Sequence, residues 1–315
     1  MLELLQKLLY LDWRRHGALI REVTVARSRM WYAEFPPRVE RPAGPELVEP
    51  KGAVRRNDAS FARRSARPPV AILIHGLGAS STSFYPLIPR LLRRFRVIVP
   101  DLPGYGGSRP PRGRDHLLFP ELVEAAEKFV HKVAPRGAYL VGTSRGGWIA
   151  AKLASARPDL VRGIALLNPG GPALHAEDWV DFARVLYAED RAVMGEYFSR
   201  LFHNPPVALR LFTRDFQRIM RGPAVASLVA SLAESDFIAA EELARVRCPS
   251  LLVWGESDRL IPAGCRDFYL RHLPGVRYEP LNDCGHCPQL EAPKRTAELV
   301  MQLPALAAAG ESEAA

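Results

Sequence analysis

Short, unbroken runs of Val, Ile and Leu recur along this chain and alternate with stretches of helical period, and that alternation restricts the fold more than any other feature. The first three runs are Val70 to Ile74, Arg96 to Val99 and Ala138 to Val141, with a helical pattern over Glu121 to Val133 between the second and third. Gly163 to Leu167 and Ser250 to Trp254 continue the series, and a last run, Val276 to Leu281, precedes a helix predicted over Lys294 to Leu303. A strand that is apolar along its whole length is buried on both faces, and strands separated by helices pair in parallel. The predicted class is therefore α/β, a mostly parallel central sheet flanked by helices. With 315 residues and 48% hydrophobic content, the chain can bury one large core.

Other segments surround this pattern. Leucines at 2, 4, 5, 8, 9 and 11 follow helical spacing, which predicts an amphipathic N-terminal helix within residues 1–19. Such a helix packs on the body or rests on a membrane surface as a peripheral contact, and packing is the preferred reading. Ile20 to Ala26 and Arg29 to Phe35 read as a hairpin that ends at Pro36 and Pro37. Residues 36–69, rich in Pro, Arg, Gly and Ala, are expected to form a partly disordered surface loop. Residues 170–245 carry helical stretches with aromatics (Trp179, Phe182, Tyr187, Tyr197, Phe198, Phe202, Phe212, Phe216) and no strand-like run. That region reads as a helical cap inserted between two parts of the core, 20–169 and 246–303, with 304–315 as a flexible tail.

Composition removes several function classes. The net charge of +9 arises from 43 basic and 34 acidic side chains spread along the chain, without a basic helix interleaved with aromatics, so no nucleic-acid partner is expected. The four cysteines lie in the last quarter, unlike a disulfide framework, and reduced thiols are the expectation. Cys284 and Cys287 bracket His286 in a C-x-x-C, but no second pair exists elsewhere, so no metal is expected. The first residues lack a small-residue cleavage site, and no apolar run is long enough for a membrane span. The expected location is the cytoplasm, with membrane contact through the first helix as the variant.

In a parallel sheet the loops at the carboxyl ends of strands carry function. After the third run comes Gly142-Thr143-Ser144-Arg145-Gly146-Gly147, leading into a helix: G-x-S-x-G in its strand-turn-helix setting. A serine on so sharp a turn has a strained backbone, and side chains at 142 or 146 would strike neighbouring strand and helix. Serine needs a base, and the base needs an acid to orient it. Asp258 in Trp-Gly-Glu-Ser-Asp and His286 in Asn-Asp-Cys-Gly-His follow the last two strands, with Glu256 and Asp283 as rival acids. Oxyanion donors are expected from the N–H groups of Arg145 and of Leu77, the latter in His75-Gly76-Leu77-Gly78 after the first run, where His75 is expected to brace the loop.

Together with Asp101-Leu102-Pro103-Gly104-Tyr105-Gly106-Gly107-Ser108, these motifs resemble the α/β-hydrolase superfamily over residues 20 to 303. Leu140 to Gly171 and the acid and histidine loops are most similar to the monoacylglycerol lipase and bacterial carboxylesterase branch. The resemblance implies an α/β-hydrolase fold and a carboxylic-ester hydrolase with no metal or organic cofactor, acting on a small-molecule ester whose acyl chain lies under the cap. Arg145 departs from that pattern, since such lipases usually carry an uncharged residue there. A cation there speaks against a purely apolar substrate and, if its side chain enters the pocket, should favour acyl groups bearing a carboxylate. The same triad also serves hydrolysis of C–C bonds in diketones, thioester cleavage and acyl transfer, and a non-catalytic small-molecule receptor is the rival from another class.

Overall fold

The computed structural model describes residues 1–37, 68–173 and 191–307, together with 177, 178, 180, 181 and 184. Most of the expected surface loop, the end of the tail, and Trp179, Phe182 and Tyr187 of the expected cap lie outside the described residues.

Eight strands form one sheet: β1 (Leu19–Val25), β2 (Ser28–Phe35), β3 (Val70–Ile74), β4 (Arg96–Pro100), β5 (Ala138–Thr143), β6 (Val161–Leu167), β7 (Ser250–Gly255) and β8 (Arg277–Leu281). Their order is β1-β2-β4-β3-β5-β6-β7-β8. From β4 to β8 all neighbours are parallel, whereas β1, β2 and β4 are joined antiparallel, so the hairpin extends the sheet at one edge. Ala26 and Arg27, both at positive φ, make the two-residue turn between β1 and β2, a conformation that matches the twist of the strands. Nothing in an Ala-Arg pair announces such a turn in sequence. Pro280 is tolerated in β8 because that strand is an edge.

Alternation along each strand sends side chains to two cores. Ile72 and Ile74 of β3 face a core covered by α2 (Phe119–Val133) and α3 (Arg145–Ala156), and Ala71 and Leu73 face a second one. Every residue of β5 and β7 is buried, as continuous apolar runs require. Each large side chain so buried contributes roughly 1.5–3 kcal/mol from removal of apolar surface from water. The second core also receives α1 (Leu2–Arg15), whose Trp13 is buried against Trp31, Phe35 and Tyr85, and α9 (Pro293–Val300).

The chain leaves β3 for β4 and then returns past β3 to β5, so the loops after β3 and β5 part in opposite directions. A crevice opens there at the carboxyl ends of the strands. Between β6 and β7 the described residues hold α4 (Arg191–Leu201), a 3-10 turn at Val207–Phe212, α5 (Thr213–Met220), α6 (Pro223–Ala230) and α7 (Ala240–Ala244). Tyr197, Phe198 and Phe202 are buried there, and Phe198 meets Phe216 edge-on at 5.0 Å, so these aromatics pack among themselves. Helix α8 (Ala263–His272) then crosses from β7 to β8.

Candidate active site

Ser144 caps the N-terminus of α3 with φ 54° and ψ −122°, a left-handed backbone for a residue with a side chain. The flanking glycines make the turn possible. A Cβ at Gly142 would stand 2.2 Å from the Gly146 carbonyl oxygen, and one at Gly146 would stand 2.0 Å from that of Ile74. The turn is fastened from within, because the Ser144 N–H donates to Leu167 at 2.9 Å and its carbonyl accepts from Gly147 and Gly170.

Among the described residues, the N–H groups of Arg145 and Leu77 have no hydrogen-bond partner. The Arg145 N–H is free because it begins a helix, whose first turn lacks carbonyls to bond and carries the positive end of the dipole. The Leu77 N–H is free because its loop departs from the sheet. That loop passes close to the serine: a Cβ at Gly76 would lie 3.2 Å from Ser144 Cβ. One free donor therefore belongs to the serine turn and the other to the loop beside it.

His75 and Arg145 hold the loop in place. The His75 Nε2 accepts from the Leu102 N–H at 3.0 Å, which leaves Nδ1 protonated and donating to the Gly76 carbonyl at 2.9 Å. The ring is fully buried, and that burial, with the Arg145 charge second, lowers its pKa to about 3. It stays neutral at working pH and serves as a brace. The Arg145 guanidinium, 5% exposed as a residue, donates to the Tyr105 hydroxyl at 2.6 Å and to the Gly76 carbonyl at 3.2 Å, and lies over the Tyr105 ring. Tyr105 in turn donates to the Ala224 carbonyl of α6. The contacts of this cation, which sequence left open, are thus made inside the protein, where the side chain folds back onto the Gly76 loop.

The acid and the histidine meet. His286 Nδ1 lies 2.8 Å from Asp258 Oδ2, with the Asp258 side chain fully buried and that of His286 5% exposed. The other carboxylate oxygen accepts the Leu260 and Ile261 N–H groups at 2.8 and 3.1 Å. Close approach of the two loops depends on Gly255, where a Cβ would fall 2.0 Å from the Gly285 carbonyl oxygen. The rival acids are engaged elsewhere: Glu256 with Tyr278 and Arg266, and the exposed Asp283 3.6 Å from His203. The histidine loop is tied to the serine turn through Thr143, whose hydroxyl donates to Gln289 at 3.3 Å. Among the described residues no hydrogen bond joins Ser144 Oγ to His286; such contacts are commonly long until substrate tightens them.

Three further residues escaped the sequence reading. Asn168, at positive φ just past β6, donates to Asp258 Oδ2 at 2.7 Å and accepts the Gly255 N–H at 3.0 Å. Its place at the carboxyl end of a strand was the available signal. Glu291 accepts the Gly285 and His203 N–H groups, and His203 Nδ1 lies 2.7 Å from Ser257 Oγ. With the His286 N–H donating to Leu201 at the end of α4, these bonds pin both loops to the inserted helices. Cys284 and Cys287 are free thiols, and burial raises the pKa of Cys284 to about 12 and that of Cys287 well above its usual value. Among the described residues no group of three or more His, Cys, Asp or Glu is placed to hold a metal ion.

A strained serine, two N–H donors without partners and a carboxylate-bound imidazole are parts used in nucleophilic catalysis on a carbonyl. Comparison with known proteins agrees in family. The chain is 30% identical over 244 residues to a pimeloyl-[acyl-carrier protein] methyl ester esterase of Nitrosomonas europaea, covering 72% of this chain and 92% of that protein. It is 22% identical over 266 residues to the monoacylglycerol lipase ABHD6 of Homo sapiens, covering 77% of each. Its fold matches the crystal structure of a membrane phospholipase A, described as a bacterial virulence factor, with a TM-score of 0.75 at 23% identity, over 98% of this chain and 91% of that one. A family model described as the alpha/beta hydrolase family matches residues 71–299, and the chain accordingly belongs to the alpha/beta hydrolase family, with its eight-stranded, mostly parallel sheet.

Proposed function

We propose that the protein is a serine hydrolase that cleaves carboxylic esters through an acyl-enzyme on Ser144. The observation that carries this reading is the Asp258–His286 bond at 2.8 Å between two buried side chains. With Nδ1–H given to the carboxylate, Nε2 is the basic nitrogen of the ring, and the imidazolium that forms during reaction is stabilised. Ser144 Oγ attacks the ester carbonyl carbon as Nε2 takes its proton. The N–H groups of Leu77 and Arg145 donate to the oxyanion. Collapse expels the alcohol, which leaves with the proton from His286, and water then releases the acid by the same two steps. Two relatives whose names denote an ester-cleaving enzyme and a lipase support the ester as the bond broken.

Fluorophosphonate labelling combined with a panel of p-nitrophenyl esters and monoacylglycerols of graded length tests the proposal. The wild-type protein should label at Ser144 and turn over esters, and Ser144→Ala should lose labelling and about 10⁶-fold in kcat. Ester turnover undiminished by that substitution would refute the role of Ser144. A labelled protein inactive on every ester but active on a vinylogous diketone or a thioester would keep the nucleophile and replace the substrate.

A further inference from the structure

Helix α1 has two apolar faces, and the protein covers one of them. Leu2, Gln6, Leu9, Tyr10 and Trp13 turn inward, with Trp13 3% exposed. Met1, Leu4, Leu5, Leu8 and Leu11 recur at helical spacing on the opposite side, at 59%, 61%, 40%, 53% and 51% exposure. A single exposed leucine needs no explanation, but a continuous stripe marks a surface that something else covers. We propose that this outward face is a docking surface for an anionic lipid bilayer.

Facial polarity and charge select that occupant. The exposed leucines lie on one side of α1 while Trp13 and its neighbours on the other pack on the body, so the helix would lie in the plane of the headgroups. Among the described residues no single helix is long and apolar enough to cross a membrane. The acids on this side are already engaged: Glu3 by Arg218, Asp12 by the Tyr85 hydroxyl, and Asp215 by the N-terminal ammonium and Arg218. Lys7, Arg14, Arg15, Arg210 and Arg214 are exposed and pair with no acid among the described residues. The net field around the leucines is therefore positive, the complement of lipid phosphates. A second copy fits less well, since a two-fold contact through this face would set the same cations against each other.

The surface extends toward the proposed active site. Val207 and Leu211, 76% and 69% exposed, lie in the turn that leads into α5. Asp215 of α5 accepts the Leu2 N–H, and Met220 at the end of α5 lies against Gly78 of the loop after β3. Lipid contact at α1 would thus place the inserted helices at the membrane.

The test is independent of the reaction assigned to Ser144. Ser144→Ala protein of full length is sedimented with vesicles of phosphatidylcholine alone and of phosphatidylcholine with phosphatidylglycerol. Binding is expected to the second vesicle in preference to the first. Adding Leu4→Gln, Leu5→Gln, Leu8→Gln and Leu11→Gln should lower the partition coefficient by at least about tenfold, because the apolar area that enters the headgroup region is gone. The thermal midpoint should hold, since these side chains already face water. Equal binding by the leucine variant, or no binding to the anionic vesicle, overturns the proposal. So does a parent dimer that the leucine variant dissociates, which would make a second copy the occupant.

Discussion

Asp101 and Asp258 are both buried carboxylates at the carboxyl ends of parallel strands, and they do different things. Asp101 follows β4 and accepts the Tyr10 hydroxyl at 2.6 Å and the N–H groups of Ser81 and Gly107. Asp258 follows β7 and accepts His286, Asn168 and two N–H groups. Each site meets the cost of burying an anion with several donors at once. The difference lies in the donor. Tyr10 is itself half-buried beside that carboxylate, and burial followed by the Asp101 charge pushes its pKa far above the ordinary phenol value, so its proton does not move. Burial also raises the pKa of Asp101. The donor to Asp258 is the ring Nδ1–H of His286, whose other ring nitrogen is left without a proton. One carboxylate fastens α1 to the body; the other holds the imidazole proposed as the base.

Substitutions at the two sites should therefore separate activity from stability. The largest effect is expected from Asp258→Asn, which keeps the shape but removes the anion that selects the His286 tautomer. Ester hydrolysis should fall about 10⁴-fold in kcat with the thermal midpoint nearly intact. If the melt collapses instead, Asp258 is a fastener like Asp101 and the comparison fails. Tyr10→Phe should do the reverse: it leaves the buried Asp101 one donor short, costs about 1–3 kcal/mol in denaturant unfolding, and changes kcat on a soluble ester less than twofold.

The smallest effect involves the second buried imidazole of the site. The folded-state pKa of His75, about 3, lies below its ordinary 6.5, so between those values the unfolded chain takes up a proton that the folded chain refuses. This contribution to stability is complete above pH 6.5 and is lost as pH falls toward 3. His75→Gln, which cannot titrate, should flatten denaturant midpoints over that window relative to the parent. An unchanged slope would assign the acid sensitivity to other groups.

The sheet was legible because buried strands must be apolar along their length, and each of the eight predicted runs lies at an observed strand to within about two residues. The serine turn was legible for a local reason, since the steric demand that makes Gly142 and Gly146 necessary arises within a few residues of Ser144. Asn168 was not legible, because its partners Asp258 and Gly255 lie 90 and 87 residues away and an asparagine after a strand has many ordinary uses. The direction of the Arg145 side chain was left open for a related reason. Tyr105, 40 residues earlier, supplies both a ring face and a hydroxyl, and nothing near position 145 reveals it.

By itself the sequence determined the strand-helix alternation, the strained turn at Ser144 and the order of serine, acid and histidine along the chain, because each follows from backbone sterics and burial over short stretches. Only the tertiary structure decided which carboxylate binds the imidazole, which side of α1 faces outward, and how Glu291 and His203 tie the histidine loop to the inserted helices. Those outcomes depend on pairing groups far apart in the chain, and a buried polar group takes whichever partner the completed packing brings within reach.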